Sequence, residues 1–124
     1  MTSMVDDVAA ILHPLPSAGR ASTEGQEHIA DERRDEAEQL ELSWVHGGED
    51  PVLASLRAAR ARMLAAELEM RQLIAYAREF VRPRPYTLAD LAEAAGMSIS
   101  GIRTAYDNDE ISFVTSAIGQ GPRG

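Results

Sequence analysis

Residues 87–107 read Thr-Leu-Ala-Asp-Leu-Ala-Glu-Ala-Ala-Gly-Met-Ser-Ile-Ser-Gly-Ile-Arg-Thr-Ala-Tyr-Asp, and this stretch decides the fold. Its spacing predicts two short helices joined by a tight turn. Ala92 is small enough to sit where the two would cross, and Gly96 tolerates the positive φ that the turn needs. Leu88, Leu91, Ala95, Met97, Ile102 and Ala105 fall at offsets that face a common core. Ser98 stands where the second helix needs a side-chain oxygen to cap its free N–H groups, and Thr87 does the same for the first.

Working outward, Val52 to about Val81 contains no glycine or proline and is rich in the strongest helix formers. Asp50-Pro51 starts it, with an N-cap acceptor followed by proline at the first helical position. Leu56, Met63, Met70 and Ala77 repeat every seven residues, with Ala59, Ala66, Leu73 and Phe80 at the second seam position. That pattern predicts a coiled-coil-like face, and Leu56, Met63, Met70 and Leu73 are the candidate dimerisation residues. Either the N-terminal helices fold back on this face or a second copy of the chain packs against it. The last turns (Leu73, Ile74, Ala77, Phe80, Val81) are also placed to pack on the two short helices, with Arg82-Pro83-Arg84-Pro85 as the hinge between.

Before this helix, Ser3 and Asp6 open a helix over residues 3–12, which His13-Pro14-Leu15-Pro16 ends. Residues 17–27 read as a linker. Residues 24–44 carry Ile29, Ala37, Leu40 and Trp44 at helical spacing among many charges, and read as a solvated helix or a disordered acidic arm. Trp44 reads either as a binding anchor or, the more frequent case, as a satellite-core residue beneath that helix. After Tyr106, Asp107-Asn108-Asp109-Glu110 reads as a turn or cap, with a short helix favoured over a strand for 111–118 and a disordered tail at 119–124.

The expected chain is therefore all-α: an acidic arm (1–49), a long amphipathic helix (50–82), a compact module (83–118) and the tail. Charge follows the same division. The chain has 124 residues and a net charge of −8, and all 12 of its basic residues are arginine. Residues 1–50 balance to −9, residues 51–106 to +3 and residues 107–124 to −2. No apolar run approaches a membrane span, and the first residues lack a signal-peptide pattern. With no cysteine present, these features lead to the expectation of a cytoplasmic protein without disulfides or thiolate metal sites. His13, His28 and His46 are isolated, and no metalloprotease pair or phosphate-binding glycine loop occurs, so neither catalysis, cofactor nor metal is expected. Asp107-Asn108-Asp109 opens like a calcium loop, but Ser112 and Ile118 occupy the positions of its glycine and bidentate glutamate.

The 87–107 stretch resembles the helix-turn-helix superfamily of bacterial and phage regulators, with Ala-Gly-Met-Ser as the start of a recognition helix. What the resemblance implies is double-stranded DNA as partner, with the helix at about 98–107 in the major groove. Carried over position by position, Ser98, Ile99, Ser100, Arg103 and Thr104 would face bases and phosphates, with Arg103 able to grip guanine bidentately. Thr87 is a candidate phosphate contact, and Arg82 and Arg84 join it as the arginines nearest the motif. Gly101 lowers helix propensity within that helix, and the acids after Tyr106 would repel phosphate if they faced the groove. The resemblance thus implies a dimeric transcriptional regulator. The alternative is a protein-interaction adaptor, anti-sigma-like or antitoxin-like, using the same fold as scaffold. In the regulator, the acidic N-terminal region could compete for the arginines and so restrain non-specific DNA binding, or dock a second protein.

Overall fold

A computed structural model describes residues 3–16 and 22–123 of the chain. Among these the structure is all-helical, with α1 Met4–Leu12, α2 Thr23–Gly47, α3 Pro51–Glu79, α4 Leu88–Ala95, α5 Ile99–Arg103 and α6 Asn108–Ile118, and no strands. None of these helices is long and apolar enough to cross a membrane. The chain divides into two compact units, Met1–Ala61 and Arg62–Gly124, with the division falling inside α3.

In the first unit, Ser3 caps α1 by accepting from the Asp6 N–H, and Ser22 caps α2 by accepting from the Gly25 N–H. Helix α2 thus begins at Thr23, inside the stretch expected as a linker, and the acidic arm is helical from there to Gly47. Residues 17–21 of that expected linker lie outside the described residues. Val5 and Ala9 of α1 pack on Ala37 of α2, with Leu40 beside them. His13 then fastens the end of α1: its Nδ1 lies 2.9 Å from Glu32 Oε2 and its Nε2 3.2 Å from Glu36 Oε1. Arg33 donates to the His13 carbonyl at 2.8 Å. Trp44 is not the satellite-core residue its spacing suggests, because it is 39% exposed. The α1–α2 contact reaches Ala37 and Leu40, and its apolar cluster does not extend to Trp44.

Asp50 Oδ1 accepts from the Val52 and Leu53 N–H groups, both at 2.9 Å, and starts α3 as the Asp-Pro pair predicts. The helix ends at Glu79, short of the expected 82, because the chain turns back on it. The Tyr86 N–H bonds the Ala77 carbonyl at 3.1 Å, and Arg78 donates to the Tyr86 carbonyl at 2.6 Å. Leu56, Met63, Met70 and Leu73 are all exposed on α3, whereas Ala77 and Phe80 are buried. The seven-residue pattern is therefore not one seam: its last two positions belong to the interior of the second unit.

Helix α6 settles the ambiguous segment 111–118 as helix. Asp107 caps it by accepting from the Asp109 N–H at 2.8 Å, and Glu110 accepts from the Asp107 N–H at 3.2 Å. A helix with this reciprocal cap needs no strand partner. The tail was expected to be disordered, yet Arg123 reaches back. Its N–H donates to the Glu79 carbonyl at 2.6 Å and its guanidinium to the Pro83 carbonyl at 3.4 Å. The Glu79 carbonyl, left free where α3 ends, and the Pro83 carbonyl of the following loop give the tail a place to bond. Gly124 lies outside the described residues.

Candidate nucleic-acid interface

The site is built on a turn. Gly96 ends α4 in the left-handed conformation, φ +66° and ψ 34°. Its N–H bonds the Glu93 carbonyl at 3.3 Å, and the Met97 N–H bonds the Ala92 carbonyl at 3.0 Å. That pair of bonds satisfies carbonyls the helix end would leave free, and it throws Met97 back onto the helix it has just left. Met97 accordingly joins Ile74, Ala92 and Ile102 in one apolar cluster with Leu88, Leu91, Ala95, Ala105 and Tyr106. Ile102 is fully buried, a burial that stabilises by about 2–3 kcal/mol. All the apolar offsets of the 87–107 stretch meet in this cluster, together with Ile74 from α3.

Ser98 Oγ accepts from the Gly101 N–H at 2.9 Å and starts α5. A Cβ on residue 101 would lie 3.2 Å from that Oγ and 3.3 Å from Met97 Cε. The low-propensity glycine therefore makes room for the cap and for Met97. Helix α5 is only five residues long, shorter than the 98–107 expected. Two contacts stop it. The Tyr106 hydroxyl donates to Glu79 Oε1 at 2.7 Å and draws the chain towards α3. Asp107 must be extended, φ −138° and ψ −161°, to cap α6. Thr104 closes the short helix, with its hydroxyl 3.3 Å from the Ser100 carbonyl it donates to.

The exposed side of this unit holds most of the candidate contacts. Ile99, Ser100 and Arg103 lie on α5, with its caps Ser98 and Thr104, and all five are exposed. Ile99 and Arg103 are four residues apart and share one line of the helix surface. Arg103 has no hydrogen-bond or ion-pair partner among the described residues. Thr87 is exposed at the start of α4, its Oγ1 accepting from the Asp90 N–H at 3.1 Å. Arg82 and Arg84, also exposed and without such partners, belong to the α3–α4 loop and not to α5. Other arginines are committed: Arg71 to Glu67 at 2.7 Å and Arg78 to the Tyr86 carbonyl.

The electrostatics differ from the sequence reading. Placed at the structural division, the second unit holds 7 arginines and 8 acids, because Arg57 and Arg60 fall in the first unit. Burial raises the Tyr106 phenol to about 12, and the hydrogen bond and charge of Glu79 add to the effect against Arg78. Hydrogen bonding with the Glu110 carboxyl and then the Asp109 N–H holds Asp107 below its usual carboxylate range. The Asp107 and Glu110 carboxylates are thus occupied in capping. Behind α5, a cavity of about 600 Å³ lies between α3 and the start of α6, with Met70, Ile74, Met97 and Ala105 among its lining and Arg71 and Asp107 at its polar edge. Sequence reasoning missed the Glu79–Tyr106 bond and the return of Arg123. Neither has a local signature, since each joins residues 27 or more apart.

No family model, curated protein or solved structure matches this chain. Among the described residues, no group of three His, Asp or Glu side chains is arranged to hold a metal ion.

Proposed function

We propose that this chain is a sequence-specific DNA-binding protein in which α4, the turn at Gly96 and α5 act as a helix-turn-helix, with α5 in the major groove. The observation that carries this reading is a short helix anchored from behind by Ile102 whose outer line ends in Arg103, a guanidinium with no partner among the described residues. A free, planar guanidinium suits the paired acceptors of guanine. The hydroxyls of Ser98 and Thr87 accept from the backbone, which leaves each hydrogen free to donate to phosphate. Arg82 and Arg84 add charge for phosphate.

Five helical residues span only about 7.5 Å, roughly two base-pair steps. One copy reads too little for specificity, so the reading includes two copies associated through α3, each addressing a half-site. Transcriptional regulation is the role that fits such a reader. With Arg82 and Arg84 as the charged phosphate contacts of each copy, the logarithmic salt slope should be shallow, near −2 per copy.

The test is a salt-titrated mobility shift with genomic fragments selected by the protein. Arg103→Ala should abolish sequence preference while circular dichroism stays unchanged, and Arg82→Ala should weaken all fragments alike. If wild type and Arg103→Ala bind equally poorly at low salt, the DNA reading fails. The protein-adaptor reading would then stand, favoured by the acidic balance of the second unit and by exposed Ile99 (45%) and Phe113 (53%).

A further inference from the structure

Helix α3 leaves an apolar line uncovered. Met63 is 60% exposed, Met70 38% and Leu73 58%, and Leu56 on the same line is 65% exposed. At ordinary side-chain areas these four leave roughly 450 Å² of apolar surface, about half of what one partner contributes to a standard interface. Ala59 and Ala66 lie between them at the alternate seam positions, which lets a second helix approach closely. On the flank of this line, Arg62 and Glu69 are exposed one heptad apart, and neither has an ion-pair or hydrogen-bond partner among the described residues.

We propose that the occupant of this line is a second copy of the chain running antiparallel, with Met63 over the partner's Ala66 and Arg62 facing the partner's Glu69. This deepens, and rests on, the two-copy reading above. Charge selects the register. Arg62 and Glu69 occupy equivalent flanking positions of successive heptads, and antiparallel helices bring such like positions together. The two-fold axis then falls between residues 64 and 65, and each Arg62 meets a Glu69. Sliding the helices to place Met63 over the partner's Leu73 would set Glu69 against the partner's Glu69. In a parallel pair Arg62 would face the partner's Glu67, a carboxylate already held by Arg71 at 2.7 Å, and Glu69 would gain nothing.

The same register gives an apolar groove an occupant. Met70, Leu73 and Ile74 of α3 with Leu91, Ala94 and Ala95 of α4 enclose about 230 Å³. The partner's Leu56, opposite Leu73, is the side chain that enters it. Filling such a space with a leucine removes apolar surface on both copies.

The chain has no cysteine, so single replacements report geometry without background. In the antiparallel register, residue 70 of one copy lies 11 residues, about 16 Å, from residue 70 of the other, beyond the ~7 Å limit for a disulfide. Met70→Cys alone should stay reduced under mild oxidation, whereas Met70→Cys mixed with Ala59→Cys should cross-link. Light scattering on the wild type should give twice 13.5 kDa at micromolar concentration. Arg62→Glu should raise the dissociation constant by about tenfold or more, and Arg62→Glu with Glu69→Arg should restore it. A wild-type mass of one chain would overturn both this proposal and the two-copy reading. A dimer whose Met70→Cys form cross-links to itself, or whose double charge reversal fails to recover, would overturn the antiparallel register alone.

Discussion

Truncating Ile102 tests whether the cluster behind α5 holds the second unit together. Ile102 is fully buried against Ile74 and Ala92. Ile102→Ala removes three carbon groups, a transfer loss of about 2.4 kcal/mol at ~0.8 kcal/mol each. A residual cavity of roughly 50 Å³ would add about 1.2 kcal/mol, for a total near 3.5 kcal/mol. A unit of about 60 residues has roughly 3–9 kcal/mol of stability in all, so the variant should lose between about two-fifths and all of it. The chain carries its own probes: Tyr76, Tyr86 and Tyr106 lie in the second unit, and Trp44, the one tryptophan, in the first. Urea titration followed by tyrosine near-ultraviolet absorbance should show the loss, and Trp44 emission reports the first unit separately. Ile99 is the internal control, because it sits three residues away and is 45% exposed. Ile99→Ala should cost less than about 1 kcal/mol. A cost for Ile102→Ala below about 1 kcal/mol, or one no larger than that for Ile99→Ala, would refute the packing argument.

Gly96→Ala should destabilise the second unit by about 1–2 kcal/mol, because a Cβ is strained at φ +66° even though no atom lies near it; a neutral result in the same titration would count against the left-handed turn. Tyr106 should titrate late in alkaline spectrophotometry, near pH 12, and Tyr106→Phe should remove that component. Its folded pKa lies above the ordinary 10, so the stability it contributes is complete below pH 10 and is lost as pH rises towards 12. Glu79→Gln should bring the component down in pH, and no movement would mean the carboxylate does not act on the phenol.

Local signals were strong wherever one residue answers one backbone need. Ser3, Asp50, Thr87, Ser98 and Asp107 each begin a helix, and each is a residue whose short polar side chain accepts from the N–H groups a helix start leaves free. Gly96 was legible for the same kind of reason, since few residues sit comfortably at positive φ. The length of α5 was not legible. Residues 104–106 have no helix breaker, and the helix ends because Tyr106 finds Glu79, a partner distant in sequence. The heptads misled in part for a related reason. Apolar spacing is the same whether a residue faces a core in its own chain or a partner, so Ala77 and Phe80 looked like seam and are buried.

The division of labour follows the range of the forces. The amino-acid sequence alone determined an all-helical chain, the places where most of its helices start (α2, which begins inside the expected linker, is the exception), the turn at Gly96 and the apolar set that gathers around Ile102. Propensity, capping and periodicity act within a few residues, so they are written locally. Only the tertiary structure decided how short α5 is, which of the α3 apolar residues are left uncovered, that Trp44 is not buried, and that Arg103 has no partner among the described residues while Arg71 and Arg78 do. Burial and pairing depend on which distant elements come together, and no local pattern records that.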